Sequence, residues 1–337
     1  MTDSSDSTSL HSRLLTLDSH VDIPWPEAEN PFFPSNRCLD IPKMHQGGLK
    51  AVCMVAYIPQ GARTPEGHEA ATSRALAMLE TINRVGHNPQ ARLAPLVADI
   101  EQAATLGLPA IIPVIENGHA IGEDLANIAR FRAFGVRYIT LTHNGHNALA
   151  DSAVPRRDLG DGGPLHGGLS DLGRAAIFEM NRLGIVVDVS HTSRATMLEA
   201  ARISKFPVVA SHSCVRALCD HPRNLDDEQL DALAASGGVI QITAVPFFVR
   251  RGGSVEDTTL SHFCDHIDYV VRRIGINHVG IGSDFDGGGE LLDWRHVGQS
   301  ANVTAELLRR GYAETQIAAI WGGNFRRVLR DAEQDRR

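Results

Sequence analysis

Histidine and carboxylate side chains follow six separate apolar runs in this chain of 337 residues. In chain order they are His20, Asp22, Glu116, His143, His191, His212 and Asp284. Imidazole nitrogens and carboxylate oxygens are the protein ligands that zinc-class divalent cations use most often. The residue types therefore indicate a metal centre, provided that the fold brings the ends of these runs together.

The runs that precede these residues have the length and composition of buried parallel strands. They are Leu14–Leu17, Ala110–Ile115, Val136–Leu141, Gly184–Val189, Pro207–Ala210 and His278–Ile281. Amphipathic segments separate them, and this alternation is typical of an α/β fold with a parallel sheet. In a (β/α)8 barrel the carboxyl ends of all eight strands meet at one mouth. We predict a (β/α)8 TIM-type barrel of a single domain over residues 13–337, with additional C-terminal helices and a disordered tail over residues 1–12.

Local signals place several elements around these strands. The Gly- and Asp-rich stretch Asn144–Leu169 is predicted to be a long loop, and loops of this length in a compact domain are usually functional. A helix is predicted over Ser170–Arg182 with Ser170 as its N-cap. Two more are predicted at the end of the chain, over Val303–Arg310 and Glu314–Arg330.

Composition and charge exclude several classes of protein. The net charge of −8 argues against nucleic acid or an anionic membrane surface as a partner. The five cysteines form no CxxC pair, which favours free thiols in a reducing compartment. The polar first ten residues have no signal-peptide pattern, and no apolar run approaches the roughly 20 residues of a membrane helix. We therefore expect a cytoplasmic protein.

Spacing suggests how the candidate ligands could be used. His20 and Asp22 share one face of a strand by alternation and could bind one ion together. Glu116 is the one charged residue of its run, and its two oxygens could bridge two ions. A single strand-end histidine is often a buried core residue, but His191 and His212 on successive strands, with the other three, favour a metal site.

Five further residues have alternatives that spacing leaves open. Asp284 and Asp286 lie on the same face by alternation, and either could act as a general base. His143 could donate to a developing oxyanion or bind a metal ion, and the neighbouring His146 competes with it. Arg223 could hold a substrate carboxylate with its planar guanidinium, or it could be a surface residue of a loop.

Short motifs that contain these residues occur in order along nearly the whole chain, from about Leu17 to Val328. They include Asp18-Ser19-His20-Val21-Asp22, Glu116-Asn117-Gly118-His119, Asp188-Val189-Ser190-His191, Ser211-His212-Ser213, His221-Pro222-Arg223-Asn224 and Gly282-Ser283-Asp284-Phe285-Asp286-Gly287. In these motifs the chain resembles the membrane dipeptidase (renal dipeptidase) family of the amidohydrolase superfamily.

The resemblance implies two zinc ions per chain and a role for each residue. By this resemblance one zinc is bound by His20 and Asp22, the other by His191 and His212, and Glu116 bridges the two. Asp284, rather than Asp286, matches the acid that handles the protons of the attacking water and the leaving amine. His143 matches the histidine that polarises the scissile carbonyl, Arg223 matches the arginine that grips the dipeptide carboxylate, and Tyr57 is retained for substrate binding. The implied reaction is attack of a metal-bound hydroxide on the peptide bond of L,L- or L,D-dipeptides.

Two segments depart from the family pattern, and both concern the substrate. Gln241–Phe248 lacks the tyrosine that helps to hold the substrate carboxylate, and Ala51–Tyr57 is less aromatic than its family counterpart. The alternatives are another amidohydrolase reaction, either N-acyl amino acid deacylation or lactone hydrolysis, and a non-catalytic metal-binding protein. We expect small dipeptides as partners, with no nucleic acid and no membrane. Dimers are common in that family, so a homodimer is allowed.

Overall fold

Eight parallel strands form the centre of the computed structural model, which describes residues 4–25 and 30–333. They are β1 Leu17–Asp22, β2 Ala51–Tyr57, β3 Ala110–Glu116, β4 Tyr138–Thr140, β5 Val186–Asp188, β6 Val209–Ser213, β7 Val239–Ile242 and β8 Val279–Ile281. Each strand pairs in parallel with the next. A parallel bridge between Val21 and Phe285 joins the two ends of the sheet. The predicted (β/α)8 barrel is confirmed.

Helices surround the strands on the outside of the barrel. Those within the described residues are α1 Ser4–Arg13, α2 Ile41–Gly47, α3 Pro65–Gly86, α4 Val97–Thr105, α5 Ala126–Ala133, α6 Asp171–Arg182, α7 Arg194–Ile203, α8 Asp227–Ala235, α9 Pro246–Val249, α10 Leu260–Ile274, α11 Ala301–Arg309, α12 Glu314–Ala318 and α13 Asn324–Glu333. Short 3-10 turns and a two-residue strand, Arg92–Leu93 beside β3, complete the secondary structure. None of the described helices combines the length and the apolarity that crossing a membrane requires.

Alternation along β3 explains how a carboxylate enters the mouth of the barrel. Ala110, Ile112 and Val114 belong to the apolar cluster of the barrel interior, whereas Ile111 packs in the layer between strands and helices. Since side chains alternate between the two faces of a strand, Glu116 continues the inner row at the carboxyl end of β3.

Helix α13 closes the amino end of the barrel. Phe325, Val328 and Leu329 are buried in the same cluster as the inner strand residues. The ring of Phe325 packs edge-on against Tyr138, with ring centroids 6.4 Å apart. The interior below the mouth is thus a packed core, as in other barrels of this type.

The C-terminal segment departs from the single helix predicted over Glu314–Arg330. Helix α12 ends at Ala318, a π-helical segment follows over Ala319–Gly323, and α13 begins after it. A Cβ on Gly322 would lie 3.0 Å from the Leu17 Cβ, so the glycine allows the chain to pass close to β1. The predicted helix over Val303–Arg310 corresponds to α11.

The predicted disordered tail over residues 1–12 is wrong for the part that the structure describes. Residues 4–13 form α1, in which Leu10 and His11 are buried. His11 Nδ1 lies 2.6 Å from the Thr304 hydroxyl, and the His11 ring packs edge-on against Trp321 at 5.4 Å. The polar composition suggested disorder because these two docking residues are outnumbered by Ser, Thr and Asp. Residues 1–3 lie outside the described residues.

The long loop between Asn144 and Leu169 is held in place by two buried carboxylates. Asp151 accepts hydrogen bonds from three backbone N–H groups, those of Leu165, His166 and Gly168. Asp161 accepts from the backbone of His146 and Arg156 and pairs with Arg63 at 2.6 Å. At its end Ser170 caps α6 by accepting from the Gly173 N–H, as predicted.

Candidate metal centre

The predicted site residues converge at the mouth of the barrel around a cavity of about 280 Å³. Those that line the cavity are Asp22, Tyr57, Glu116, His143, His191, Arg223 and Asp284. His20 and His212, which are fully buried, contact Glu116 from within the barrel. Residues separated by more than 260 positions in the sequence therefore meet at one place, as the strand order predicted.

Glu116 occupies the centre of this group. One of its carboxylate oxygens, Oε1, lies 3.0 Å from His191 Nε2 and 3.3 Å from His212 Nε2. The other, Oε2, lies 3.8 Å from His20 Nε2. Each oxygen thus faces different histidines, which is the arrangement a bridging carboxylate needs.

Two sets of potential ligand atoms share Glu116. One consists of His20, Glu116 and His212, and the other of Glu116, His143 and His191, with all atoms of a set within 4.8 Å of one another. These sets differ from the pairs that the resemblance implied, because His212 lies with His20 and because His143 is within ligand distance. The alternative of His143 as a metal ligand, which spacing left open, is therefore compatible with the geometry.

Buried polar atoms without partners mark the same place. Within the part of the chain that the structure describes, His20 Nε2 and Asp22 Oδ1 are buried and have no hydrogen-bond partner. The two atoms are 3.9 Å apart. A buried polar atom without a partner costs on the order of 1–3 kcal/mol, and a cation between these two atoms would remove that cost. The residues present therefore fit a divalent ion.

The charges of the centre also favour a bound cation. Burial lowers the pKa of His20, but the carboxylates of Glu116, Asp284 and Asp22 outweigh it and raise that pKa to about 9. Burial raises the pKa of Asp22 well above its usual range, and the neighbouring Glu116 raises it further. In the protein alone a proton on His20 supplies the positive charge, and a bound metal ion would supply it in place of that proton.

The other two histidines are kept neutral. Burial lowers the pKa of His191 and of His212 well below the usual range, and the positive charges of Arg223 and His20 respectively add to the effect. A histidine must be neutral to bind a metal ion, because the ligand is the nitrogen lone pair. The electrostatics of the site thus prepare both residues for that role.

The structure separates the two candidate bases. Asp284 lines the cavity, with Oδ1 3.8 Å from His20 Nε2, and burial raises its pKa to about 7 despite the opposing charge of His20. Asp286 points elsewhere, since its oxygens accept the backbone N–H groups of Cys38 and Leu39 at 2.8 and 3.1 Å. Of the two, Asp284 is the one placed to exchange a proton in the cavity.

Arg223 lies inside the cavity wall and is not a surface residue of a loop. The residue is 4% exposed, and its Nη2 donates to the His212 carbonyl at 3.3 Å. Among the described residues its Nε and Nη1 have no hydrogen-bond partner. The guanidinium carbon lies 5.2 Å from the ring centroid of Phe248. A buried, planar guanidinium can bind a carboxylate through both of its oxygens, with the second N–H of Nη2 as one donor and either Nε or Nη1 as the other.

Tyr57 and His143 line the cavity side by side. Their rings pack edge to face with centroids 4.8 Å apart. Burial raises the pKa of the Tyr57 hydroxyl to about 12, so the hydroxyl keeps its proton at neutral pH. Burial lowers the pKa of His143. The competing residue His146 does not line the cavity, and its Nδ1 accepts the Ser152 N–H within the long loop.

Two contributors to the site were missed by the sequence analysis. Asn144 lines the cavity, and its Oδ1 lies 3.1 Å from His191 Nδ1. Gly287 has no room for a side chain, because a Cβ would lie 2.4 Å from Asp284 Oδ1 and 2.9 Å from Asp22 Oδ2. Asn144 could have been found because it directly follows the candidate residue His143. Gly287 could have been found because it lies three residues after Asp284.

A family model and curated relatives match the chain over most of its length. A model of the family described as "Membrane dipeptidase (Peptidase family M19)" matches residues 5–337. Dipeptidase verJ of Clonostachys rogersoniana is 35% identical over 306 residues, which are 88% of this chain and 76% of that protein. Dipeptidase aclJ of Aspergillus oryzae is 35% identical over 305 residues, which are 88% of this chain and 70% of that protein.

Solved structures share the fold over nearly the whole chain. The probable dipeptidase PvdM from Pseudomonas aeruginosa superimposes with a TM-score of 0.91 at 28% identity and covers 98% of each chain. A metallo peptidase from Rhodobacter sphaeroides, solved with a phosphinate mimic of the dipeptide L-Ala-D-Ala, has a TM-score of 0.82 at 23% identity, covering 95% of this chain and 99% of that one. The second likeness supports the fold alone.

Proposed function

The chain belongs to the membrane dipeptidase family, Peptidase family M19, and on that premise we propose that it is a binuclear zinc enzyme that hydrolyses L,L- and L,D-dipeptides. That it is a metal-dependent dipeptidase follows from the family and from its dipeptidase relatives. The number of ions, their identity and the tolerated stereochemistry are the proposal. The observation that carries it is the position of Glu116, whose two oxygens face different histidines.

The residues that would hold the ions are those that the resemblance pairs. His20 and Asp22 would bind one zinc, His191 and His212 the other, and Glu116 both, which leaves His143 for the substrate. The unpartnered Asp22 Oδ1 supports this choice, because without a cation that oxygen is buried at a cost. Bound zinc supplies two effects, a lowered pKa of a water molecule and polarisation of the scissile carbonyl.

Arg223 would bind the free carboxylate of the substrate. It is a buried cation of the cavity wall, and either of its unpartnered nitrogens, Nε or Nη1, would act together with Nη2 to match the two oxygens of a carboxylate. A cavity of about 280 Å³ lies at the lower limit for small-ligand sites, which span roughly 300–1,000 Å³. A small cavity with a fixed carboxylate partner favours a dipeptide over a longer chain.

Asp284 would move the proton that the reaction needs. Its pKa of about 7 lets both protonation states exist near neutral pH. A group of that kind can accept a proton from the attacking water and return it to the leaving amine. His143 and Tyr57 would donate hydrogen bonds to the carbonyl oxygen of the substrate, and His143 would do so as a neutral imidazole.

An apolar wall stands where the family tyrosine is missing. Val245, Phe247 and Phe248 line the cavity beside Arg223, and 50% of the Phe247 surface is exposed. We expect the side chain of the second residue of the dipeptide to contact this wall. The preference would then be for apolar side chains at that position, since burying apolar surface contributes about 25 cal/mol per Å².

N-acyl amino acid deacylation is the second candidate, because Arg223 would accept the carboxylate of that substrate equally well. A lactone has no free carboxylate and leaves Arg223 without a partner. The deciding experiment is a panel of L,L- and L,D-dipeptides, N-acyl amino acids and lactones assayed with zinc-loaded protein. Preferential hydrolysis of dipeptides supports the proposal, whereas faster turnover of acyl amino acids or lactones overturns it.

The metal count tests the bridging role of Glu116. We expect about two zinc equivalents in wild-type protein, and weaker binding at both positions in Glu116→Gln, because the substitution removes charge from each ion. Elemental analysis and chelator competition measure this, with the exposed Glu123→Gln as the control. Two tightly bound ions in Glu116→Gln would overturn the assignment.

A further inference from the structure

A fully buried carboxylate lies close to the histidines of the candidate metal centre but does not line the cavity. Asp188, at the end of β5, is 0% exposed. Its Oδ1 accepts the backbone N–H groups of Ser190 and Ser211 at 3.0 and 2.9 Å. Its Oδ2 accepts the hydroxyls of Thr140 and Ser211 at 2.5 and 2.6 Å. Four donors hold this carboxylate rigidly as an acceptor.

The Ser211 hydroxyl therefore donates its proton to Asp188. A hydroxyl has a single proton, and the short contact to Asp188 takes it. The Ser211 oxygen can then only accept from its other neighbours, and His212 Nδ1 lies 2.9 Å away. His212 must accordingly carry its proton on Nδ1, which leaves the lone pair of Nε2 facing Glu116 at 3.3 Å.

The same proton accounting applies to His20. The Tyr138 hydroxyl donates to the Ser19 carbonyl at 2.9 Å, so its oxygen accepts from His20 Nδ1 at 2.8 Å. Ser211 Oγ is a second, longer acceptor for His20 Nδ1, at 3.3 Å. One serine hydroxyl thus contacts the Nδ1 atoms of two histidines whose Nε2 atoms face Glu116.

We propose that Asp188 and Ser211 form a positioning relay, in which Asp188 orients the Ser211 hydroxyl and that hydroxyl sets the tautomer and ring orientation of His212 and assists His20. The inference rests on the proposed metal centre but requires no particular substrate. Groups that receive the second N–H of a metal-bound histidine fix its ring and raise its basicity, and removing them usually weakens metal binding 10–100-fold. Asp188 and Ser211 touch neither substrate nor metal directly and act through the histidines.

The chain offers a closely matched control for Ser211. Ser213 lies two residues further along the same strand, on the other side of His212, and is equally buried. Its hydroxyl has no hydrogen-bond partner among the described residues. Ser211→Ala and Ser213→Ala therefore remove the same atom from neighbouring buried positions, but only the first removes an acceptor for a histidine.

The experiment measures zinc affinity by chelator competition on metal-free protein refilled with zinc. Ser211→Ala is expected to lose about 10–100-fold in affinity, and Ser213→Ala to stay within about twofold of wild type. Asp188→Asn should also weaken binding, because an amide N–H can turn the Ser211 proton towards His212. Equal affinities of the two alanine variants, both folded by circular dichroism, would overturn the relay.

If Ser211→Ala does not fold, Asp188→Asn tests the relay, and unchanged zinc affinity in that variant would overturn it. Tyr138→Phe tests the contact to His20. It removes the hydroxyl that accepts from His20 and should weaken zinc binding, and unchanged affinity in this variant would overturn the tautomer argument for His20. These readouts are separable from the proposed function, because they need no hydrolysis. A wild-type protein that cleaves no dipeptide would refute the function, whereas the difference between Ser211→Ala and Ser213→Ala judges the relay alone.

Discussion

At the scale of single residues, two aspartates two positions apart have different environments. Asp284 faces the cavity, whereas Asp286 anchors the backbone of Cys38 and Leu39. Both adopt a left-handed conformation with φ of +63°, and His191 has φ of +65°. Such a conformation costs non-glycine residues of order 1 kcal/mol, and it persists where surrounding contacts hold it. The turn after β8 is thus built to aim the two carboxylates in different directions.

Asp284→Asn should retain the fold and most of the metal but lose about 10²–10⁴-fold in kcat, because a positioned proton-transfer group is worth that much. Asp286→Asn should lose much less, since Asn keeps an oxygen that can accept from Cys38 or Leu39. Steady-state kinetics on zinc-loaded variants check both. If Asp286→Asn lost more activity than Asp284→Asn, the proton-transfer role would belong to Asp286 and the assignment to Asp284 would be wrong.

Arg223→Lys should lower kcat/KM for dipeptides, because an ammonium cannot form the two parallel hydrogen bonds of a guanidinium. The change should matter little for a dipeptide amide, which has no carboxylate to bind. Kinetics of wild type and variant on the acid and amide of one dipeptide test this. Equal hydrolysis of acid and amide by the wild type would remove the carboxylate role of Arg223.

At the scale of elements, sequence signals located the strands better than the ends of the chain. Apolar runs and their polar ends predicted the barrel and the convergence of residues such as Glu116 and His212. Helix α1 was missed because its docking depends on contacts of His11 with Thr304 and Trp321, which lie near the other end of the chain. The turn that aims Asp284 also depends on tertiary contacts, which explains why alternation could not choose between the two aspartates.

One histidine links the elements that carry the substrate-binding side of the cavity. His266, in α10, accepts the Val215 N–H through Nδ1 at 3.0 Å and lies 2.8 Å from the Val249 carbonyl through Nε2. Val215 follows β6 and Val249 ends α9. A second proton on the ring would sit on Nδ1 and would face the Val215 N–H, which needs that nitrogen as an acceptor. Burial is the largest cause that lowers the pKa of His266, to about 4.

This histidine should make folding sensitive to acid. The unfolded chain binds the proton below a pKa of about 6.5 and the folded protein only near 4, so the free energy of unfolding should fall as pH decreases between these values. The loss from this group is up to about 3 kcal/mol. Urea unfolding of metal-free protein at several pH values measures it. His266→Gln should flatten the slope, and an unchanged slope would contradict the assignment.

At the scale of the whole molecule, the site is assembled from nearly the full length of the chain. His20 comes from the first strand and Asp284 follows the last, and the bridge between Val21 and Phe285 holds those two strands together. Closure of the barrel therefore brings together His20, Asp22 and Asp284. Weakening that bridge would therefore separate the candidate metal-binding residues as well as the strands.

Helix α13 fills the amino end of the barrel with Phe325, Val328 and Leu329. Substrate and products therefore cannot pass through that end. Reactant and both liberated amino acids have to pass through the same opening. The fragment whose carboxylate Arg223 would bind keeps that contact after the peptide bond is cleaved, and we expect it to depart last. Added amino acid of that kind should therefore compete with the dipeptide in initial-rate measurements, and the partner amino acid should compete less. If neither amino acid lowers the initial rate at concentrations well above KM, the predicted order of product release is wrong.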